Sequence, residues 1–491
     1  MKLARLLCLC SFVLCLASLL LGARAADTPA APPAPSGAQI LQDLKAFAST
    51  GSVLMIAAHP DDENTQLLTY LARGRHYRTA YLSLTRGDGG QNLLGPEFGA
   101  ELGLIRTEEL LAARRLDSAQ QFFSRALDFG FSKRADETLK IWDQNAITAD
   151  IVRVIRTFRP DVIITRFNPD IPGGVGTHGH HTASAILARD AFNLLAKEPN
   201  AFPDQLTPAG GNLQPWQPKR LLMNTGGGGG GGGGTVRIDI SGTDAVRNVP
   251  YTQIAAESRA QHKSQGFGQG PTNGGARGGA PTGPRYESFT LLAGDPATTD
   301  IMDGIDTSFA RIAPEFAAST LLPDLILRFD QKNPAAIVPA LLDIRATLGK
   351  LPPDPLLTIK REQLDHLLAE CLGLQVLTLG PATATPGETL DLTCAVSISA
   401  DFPVTWLTVR APGAEGRPPF DPILLQANKP VTQPLTGEVY IKTRPSQPYW
   451  LRQESLPGLF RVDDSDQPLI GRPENPPAFP VQYWFKIGDS T

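Results

Sequence analysis

The sequence predicts a layered α/β domain with a mostly parallel sheet, followed by a helical segment and a C-terminal β-sandwich. Two observations predict the α/β layers: apolar runs of strand length, and helical patterns that alternate with them. A third observation predicts the sandwich. After residue 374 the chain changes to short apolar–polar alternations separated by turn residues, which is typical of antiparallel strands.

The strands expected in the α/β domain are continuous apolar runs at residues 51–58, 79–85 and 161–165. Runs of this kind are typical of strands that are covered on both faces. A helical lead-in is expected at about residues 40–49, and further helices are expected at residues 63–73, 101–123, 145–158 and 181–195. Strands that alternate with helices imply a Rossmann-like sheet with helices on both faces.

The chain of 491 residues is too long for one compact core, and its composition divides it into five parts. We expect a signal peptide at 1–25, a Pro/Ala-rich spacer at 26–39, the α/β domain at 40–298, the helical segment at 299–373 and the sandwich at 374–491. Runs rich in glycine and proline at 225–235 and 266–284 are predicted to be loops inserted at the rim of the α/β domain. Within the helical segment, breaks are expected near Leu322-Pro323 and at 351–355.

The N-terminus has the features of an export signal. Two positive charges, Lys2 and Arg5, precede an apolar run at 6–21, and a small-x-small cleavage pattern follows at 23–25. The alternative, a membrane anchor, is less favoured because the run is shorter than the ~20 residues that span a bilayer. We therefore expect an exported protein, periplasmic or extracellular, without a stable membrane span after the signal is cleaved.

Composition excludes one class of partner and leaves other questions open. The formal net charge is -4 and no concentrated basic face is evident, which argues against a nucleic-acid binder. After signal cleavage only Cys371 and Cys394 remain, and the sequence does not decide whether they pair or stay free. The oligomeric state is likewise undecided.

The most informative motif is Ala58-His-Pro-Asp-Asp-Glu63, which begins where the first apolar run ends. In open α/β sheets, ligands bind at the carboxyl ends of the strands. Two adjacent carboxylates beside an imidazole are costly to crowd together unless a cation neutralises them. Nitrogen and carboxylate ligands suit Zn²⁺, with another divalent first-row metal as an alternative. The competing interpretation is that Asp61 or Asp62 caps the helix that follows.

A second motif, Thr177-His-Gly-His-His-Thr182, follows the run at 161–165. Three of the seven histidines of the chain lie within these positions, at the sheet edge that also carries the first motif. An open zinc site needs three protein ligands and one free position. One of these histidines, together with His59 and an aspartate, would complete such a site.

Together these motifs resemble the PIG-L/LmbE-like zinc-dependent N-deacetylases, and the stretches at 85–92, 105–110 and 258–265 look like an exported subgroup of that family. The resemblance implies an N-acyl amino sugar or glycoconjugate as substrate. It implies His59, Asp62 and His181 as metal ligands, Asp61 as general base, and a protonated His178 that stabilises the oxyanion or protonates the leaving amine. The family's usual His-Pro-Asp-His differs from this chain at Gly179 and His180, so His180 competes with His181 as the third ligand.

Several other side chains are candidates for supporting roles. Arg86, Asp88 and Arg106 are expected to contact substrate, although a plain Gly-rich turn explains the first two and a salt bridge with Glu109 explains Arg106 equally well. Asn168 and Asp170 are expected to orient a ligand histidine, and His262 to be structural or to lie at the rim. Two alternatives to the deacetylase function are a metal-dependent esterase or other amidase, and a non-catalytic exported carbohydrate-binding protein.

Overall fold

The computed structural model describes residues 34–171, 178–225, 234–268, 284–314, 321–414, 419–488 and 490. The predicted signal peptide, most of the spacer, the glycine run and most of the second Gly/Pro-rich stretch lie outside these residues, so the predictions made for them stay predictions. Among the helices of the described ranges, none combines the length and the apolar character that crossing a membrane requires.

The α/β domain is built on a seven-stranded sheet with strand order β3-β2-β1-β4-β5-β9-β6. Its strands are β1 (Ser52–Ala57), β2 (Arg78–Thr85), β3 (Gln120–Ala126), β4 (Val162–Thr165), β5 (Arg220–Asn224), β6 (Val236–Asp239) and β9 (Tyr286–Gly294). The first five in this order are parallel, and β9 is antiparallel to both its neighbours. The predicted mostly parallel sheet is confirmed. A small antiparallel pair, β7 (Thr243–Asp244) and β8 (Val249–Pro250), stands apart from it.

Helices cover both faces of this sheet. They are α2 (Thr65–Thr69), which continues as a π-helical turn over Tyr70–Gly74, α3 (Ala100–Asp117), α4 (Ala135–Ile141), α5 (Gln144–Phe158), α6 (Gly179–Lys197) and α7 (Tyr251–Arg259). Successive residues of β1 point to opposite faces. Leu54 and Ile56 enter the core formed with α5 and α6, whereas Val53 and Met55 enter the core formed with α2 and α3. Burial on both faces explains why the predicted strands are continuously apolar.

The chain between residues 101 and 141 differs from the prediction. The helix expected over 101–123 ends at Asp117, because Ser118 takes a left-handed conformation with φ 67° and terminates it. A strand, β3, follows at once, and the short helix α4 after it was not predicted. The carboxyl end of this strand brings Asp128 to the edge of the sheet where the two motifs meet.

The lead-in helix and the helical segment pack into one hydrophobic core, which is separate from the two cores of the α/β domain. Their helices are α1 (Gly37–Ala48), α8 (Leu321–Leu327), α9 (Val338–Gly349) and α10 (Pro355–Leu372). The Nζ of Lys360 on α10 donates to the carbonyl oxygens of Ala46 and Phe47 at the end of α1. Pro323 lies within α8 as described, and the residues just before Leu321 are outside the described ranges, so the break expected near Leu322-Pro323 stays a prediction.

Two antiparallel three-stranded sheets follow, in the orders β10-β11-β14 and β13-β12-β15. Their strands are β10 (Gln375–Leu379), β11 (Thr389–Ser397), β12 (Val404–Arg410), β13 (Ile423–Leu424), β14 (Val431–Glu438) and β15 (Gln482–Ile487). Both sheets contribute to one core, with Trp406 and Cys394 fully buried in it. The prediction of antiparallel C-terminal sheets is confirmed. Cys371 and Cys394 are buried free thiols.

The segment between β14 and β15 leaves these two sheets and covers the β3 edge of the α/β sheet. The backbone N–H of Phe123 donates to the carbonyl of Gly471, and that of Phe460 donates to the carbonyl of Arg125. Tyr449, Trp450 and Phe460 form a small buried core here. We call residues 449–473 the C-terminal strap. It pairs the polar backbone of an edge strand that would otherwise be exposed.

Candidate active site

The loop after β1 brings the first motif to the carboxyl edge of the sheet. The carboxylate of Asp62 accepts a hydrogen bond from the backbone N–H of His59, 2.8 Å away, and so closes the loop on itself. The N-cap of α2 is Asn64, whose side chain accepts from the backbone N–H of Leu67 at 3.1 Å. The alternative in which Asp61 or Asp62 caps this helix is therefore wrong, and both carboxylates are left for other partners.

Three ligand-type side chains from the two motifs converge. The Nδ1 of His59 lies 3.0 Å from one oxygen of Asp62, and the Nε2 of His181 lies 3.2 Å from the other. The three ligand atoms all lie within 4.8 Å of one another, as the ligands of one metal ion must. Two nitrogens and a carboxylate form a donor set that fits zinc, and 25% of the His181 side chain remains exposed.

The side chains of His59 and Asp62 shift each other's pKa values. Burial raises the pKa of Asp62, but His181 and His59 lower it by more, so it lies well below its usual value. Burial lowers the pKa of His59, but the carboxylates of Asp62 and Asp128 together outweigh that effect and raise it. A divalent ion bound here would neutralise the carboxylate of Asp62 with its own charge.

Asp61 adopts a strained conformation beside this group, with φ 94° in a residue other than glycine. Its backbone N–H donates to the carboxylate of Glu63 at 3.0 Å. Its own carboxylate, 22% exposed, lies 3.2 Å from the Nη2 of Arg106. Burial raises the pKa of Asp61, and Arg106 opposes that shift. A carboxylate held in this way beside three metal-type ligands is placed to accept a proton.

Arg106 extends from α3 to the site, where its guanidinium contacts other residues of the chain. It donates to the carbonyl oxygens of Pro60 and Gly87 and pairs with Asp61. Its guanidinium fills the space beside the Gly-rich turn, where a Cβ at Gly87 would lie 2.4 Å and one at Gly90 2.6 Å from its Nη1. The alternative pairing with Glu109 is not what the structure shows, because Glu109 accepts from the backbone and hydroxyl of Ser264.

Glu63 holds the loop in place through buried contacts with His262 and Arg114. Its carboxylate accepts from the Nε2 of His262 at 2.8 Å and pairs with Arg114 at 3.1 Å, and all three side chains are buried. Burial raises the pKa of Glu63, but His262 and Arg114 outweigh that effect and hold it far below its usual value. His262 therefore has the structural role that the sequence suggested.

The second motif lies at the start of α6. His178 precedes the helix, and its Nδ1 lies 3.2 Å from the carbonyl oxygen of Ser132. The same nitrogen lies 3.4 Å from the backbone nitrogen of His180, whose N–H can only donate, so the two contacts favour opposite tautomers of the ring. Burial lowers the pKa of His178 to about 4, with help from His59 and His181. The role expected of a protonated His178 stays a prediction.

Gly179 departs from the usual family pattern for a steric reason. A Cβ at this position would lie 2.3 Å from the carbonyl oxygen of Arg134 and 2.4 Å from the hydroxyl of Ser132. Contacts this short are not tolerated by packed side chains. The close approach of the β3–α4 loop to the start of α6 therefore requires glycine here.

His180 and His181 have different environments. The ring of His181 stacks on Phe167, with centroids 3.9 Å apart and planes 2° from parallel. His180 is fully buried against Trp142 and Phe129, and its Nδ1 lies 3.0 Å from the Nε2 of His59. Since Asp62 contacts His181 and the other nitrogen of His59, the structure groups His181 with the first motif, as the resemblance implied. His180 belongs to a separate grouping with His59 and His178.

Arg86 and Asp88 are both buried. The guanidinium of Arg86 donates to Thr107 and to the carbonyl oxygens of Arg472 and Pro473, and it lies over the ring of Trp450. These contacts give Arg86 a structural role, holding the C-terminal strap, in place of the expected substrate contact.

Asp88 accepts from the backbone N–H of Asp128 at 3.3 Å. Burial, with Asp128 nearby, raises the pKa of Asp88 to about 7. The substrate contact expected of Asp88 stays a prediction.

The structure also corrects one supporting role and adds residues that sequence reasoning missed. Asp170 pairs with Arg189 at 2.6 Å, and Asn168 accepts from the backbone N–H of Asp170, so neither orients a ligand histidine through these contacts. Asp128 was missed because its strand was hidden inside a predicted helix. The aromatic pair Phe122-Phe123 was the available signal for that strand.

Fold and site together define a class: an α/β protein with a candidate metal-dependent hydrolase centre at the carboxyl edge of its parallel sheet. Residues 54–192 match the family described as PIG-L, GlcNAc-PI de-N-acetylase. This segment runs from β1 into α6 and contains both motifs. This segment therefore resembles the PIG-L family, and the match covers less than half of the chain.

Two curated relatives are similar over this region. Both are described as 1D-myo-inositol 2-acetamido-2-deoxy-alpha-D-glucopyranoside deacetylase. The protein of Streptomyces scabiei (strain 87.22) is 30% identical over 171 residues, which cover 31% of this chain and 51% of the relative. That of Rhodococcus opacus (strain B4) is 31% identical over 176 residues, covering 32% of this chain and 57% of the relative. The chain thus spans little more than half the length of the curated relatives it matches.

Two solved structures are similar at low identity. One is an N,N'-diacetylchitobiose deacetylase from Pyrococcus horikoshii, 19% identical with a TM-score of 0.33, covering 46% of this chain and 73% of that one. The other is a 4-carboxy-2-hydroxymuconate hydratase from Pseudomonas putida KT2440, 14% identical with a TM-score of 0.28, covering 51% of this chain and 98% of that one.

Proposed function

We propose that this protein is a zinc-dependent hydrolase that removes an acetyl group from the amide nitrogen of an N-acetylated amino sugar or glycoconjugate. One observation carries the proposal: His59, Asp62 and His181, from segments more than a hundred positions apart, place three ligand atoms within 4.8 Å of one another. The family match and the printed descriptions of the relatives support the amide-hydrolysing reaction.

The residues that would hold the ion are His59 through Nδ1, His181 through Nε2, and Asp62 through its carboxylate. When bound there, zinc acidifies a water molecule to a pKa of about 7 and polarises a carbonyl oxygen. The protein's part is to keep the three donors together and leave one position open.

Asp61 is the proposed general base. It takes a proton from the attacking water, whose oxygen then forms a bond to the acyl carbon. The carbon–nitrogen bond breaks, the nitrogen leaves as an amine after taking up the proton that Asp61 holds, and the acyl group leaves as a carboxylic acid that releases its proton to solvent at neutral pH. His178 presents Nε2 beside the same group, and we propose that it stabilises the developing oxyanion or assists the leaving amine once it is protonated.

The substrate class rests on the relatives, and the compartment rests on the N-terminal signal. We propose export to the periplasm or the extracellular space, where the substrate would be an N-acetylated sugar, a cell-wall fragment or a glycolipid. The two C-terminal sheets show no feature that selects among these substrates.

The test is acetate release by the purified full-length chain, measured across a panel of N-acetylated sugars and glycoconjugates together with acetyl esters. We expect about one zinc ion per chain, release from at least one amide substrate, loss of release after chelation and recovery on adding zinc. Zinc-loaded protein that releases acetate only from esters would assign the esterase alternative. Protein that binds no zinc and releases no acetate would leave a non-catalytic binding protein.

A further inference from the structure

His59 has a second group of buried partners on the side of its ring that faces away from Asp62. Its Nε2 lies 3.0 Å from the Nδ1 of His180 and 4.0 Å from a carboxylate oxygen of Asp128. The other oxygen of Asp128 lies 3.7 Å from the same nitrogen of His180. All three side chains are buried. The proposed site does not use this group.

Hydrogen placement follows from the contacts. A nitrogen–nitrogen contact of 3.0 Å needs one donor and one acceptor. If His59 presents the lone pair of Nδ1 to a metal, its Nε2 carries the ring hydrogen and must donate. His180 then accepts through Nδ1, and its own hydrogen sits on Nε2. That Nε2 is buried, and the structure shows no hydrogen-bond partner for it among the described residues.

The surroundings of His180 fix its ring. Trp142 lies 4.8 Å away and Phe129 4.4 Å away, measured between ring centroids. Asp128 is held in turn, because its carboxylate accepts from the backbone N–H of Gly130 at 2.9 Å. Hydrogen-bonded neighbours of a ligand histidine set its tautomer and its orientation. The group therefore has the form of an outer support for His59.

We propose that His180 is a positioning residue that fixes the tautomer and ring orientation of His59 and is not itself a metal ligand. The inference rests on the proposed function, since it takes His59, Asp62 and His181 as the ligands. The competing arrangement is a metal held by His59, His178 and His180, whose ligand atoms also lie within 4.8 Å of one another. In that arrangement His180 is itself a ligand, so the two arrangements predict different effects of His180 substitutions on zinc binding.

The experiment measures zinc affinity of the full-length chain by competition with a chromophoric chelator, and the visible spectrum of the cobalt-substituted protein. His180→Phe keeps a ring and removes the acceptor, and we expect it to weaken zinc binding by about 10- to 100-fold. His180→Asn retains an acceptor near the position of Nδ1 and should stay within about threefold of the parent, with an unchanged cobalt spectrum. Thermal unfolding of the metal-free proteins identifies any variant that fails to fold.

Asp128→Asn is the second variant, and it keeps the shape of the carboxylate. Because the carboxylate of Asp128 lies 3.7 Å or more from both ring nitrogens and hydrogen-bonds neither, we expect zinc affinity to stay within about threefold of the parent, with one ion per chain. Parent-like affinity in His180→Phe would overturn the proposal. So would two ions per parent chain with one lost in His180→Phe, since His180 would then be a ligand. Zinc-loaded parent protein that releases no acetate would refute the proposed function while leaving the order of affinities intact.

Discussion

The two halves of the candidate site are held by different forces. The loop after β1 is fixed by buried charge, through Asp61 with Arg106 and Glu63 with His262 and Arg114. The start of α6 is fixed mainly by rings, with His181 stacked on Phe167 and His180 enclosed by Trp142 and Phe129. Removing one partner of a buried ion pair leaves an uncompensated charge, whereas trimming a ring contact loses only packing. The first half should therefore tolerate far less change than the second.

The largest effect is expected at Glu63. Glu63→Gln removes the carboxylate that His262 and Arg114 share and leaves Arg114 paired only with Asp117, so it should cost about 3 kcal/mol in the free energy of unfolding. Denaturant unfolding at neutral pH measures this loss, with Glu108→Gln, an exposed glutamate, as the control. A loss no larger than that of the control would show that the buried pair does not hold the loop.

The difference in unfolding free energy between the parent and Glu63→Gln is expected to depend on pH. The pKa of Glu63 is depressed in the folded protein, so the stabilisation is present above its ordinary value of 4.5 and is lost as pH falls below that value. The gap in unfolding free energy between parent and Glu63→Gln should therefore narrow as the solution is acidified from pH 5 to lower values. A gap that stays constant over that range would contradict the depressed pKa.

Next in size is Asp61→Asn. It removes the proposed base but keeps the shape, and we expect turnover to fall at least ~100-fold while zinc stays bound. At 25 °C this corresponds to about 2.7 kcal/mol in the activation free energy. Turnover and zinc content are measured on the same preparation. Equal activity in variant and parent would remove Asp61 from the mechanism.

Arg106→Met tests the support of that base. The variant leaves Asp61 and the Pro60 carbonyl without their cationic donor, so we expect kcat to fall by about tenfold, with a smaller change in KM. Arg115→Met, an exposed arginine on the same helix, is the control. A rise in KM alone would instead favour the substrate contact that the sequence suggested for Arg106.

The smallest effect is expected in the ring-supported half. Phe167→Leu keeps an apolar side chain but loses the stack on His181, and zinc affinity should fall by only about threefold. Phe98→Leu, at an exposed phenylalanine, serves as the control for metal titration. A loss of about tenfold or more would remove the contrast between the charge-supported and the ring-supported contacts.

The sequence predicts the ligand-type residues of the site better than it predicts the residues that hold them in place. His59, Asp62 and His181 were predicted because their residue types are rare and carry a known chemistry next to strand ends. Arg86 was given the wrong role because its partners, Arg472 and Pro473, are nearly 400 positions away and no local pattern reports such a contact. Asp128 was missed for a local reason: helical propensity over 101–117 concealed the turn at Ser118, where the helix ends.

The C-terminal strap has a practical consequence for anyone dividing this protein. The family match ends at residue 192, and a division by composition would cut the chain at about 298. A fragment ending there would leave the N–H of Phe123 and the carbonyl of Arg125 without partners, and would strip Trp450 from the guanidinium of Arg86. Such a truncated product is expected to self-associate through its open strand. Expression boundaries should follow the three-dimensional contacts and retain the chain through residue 473.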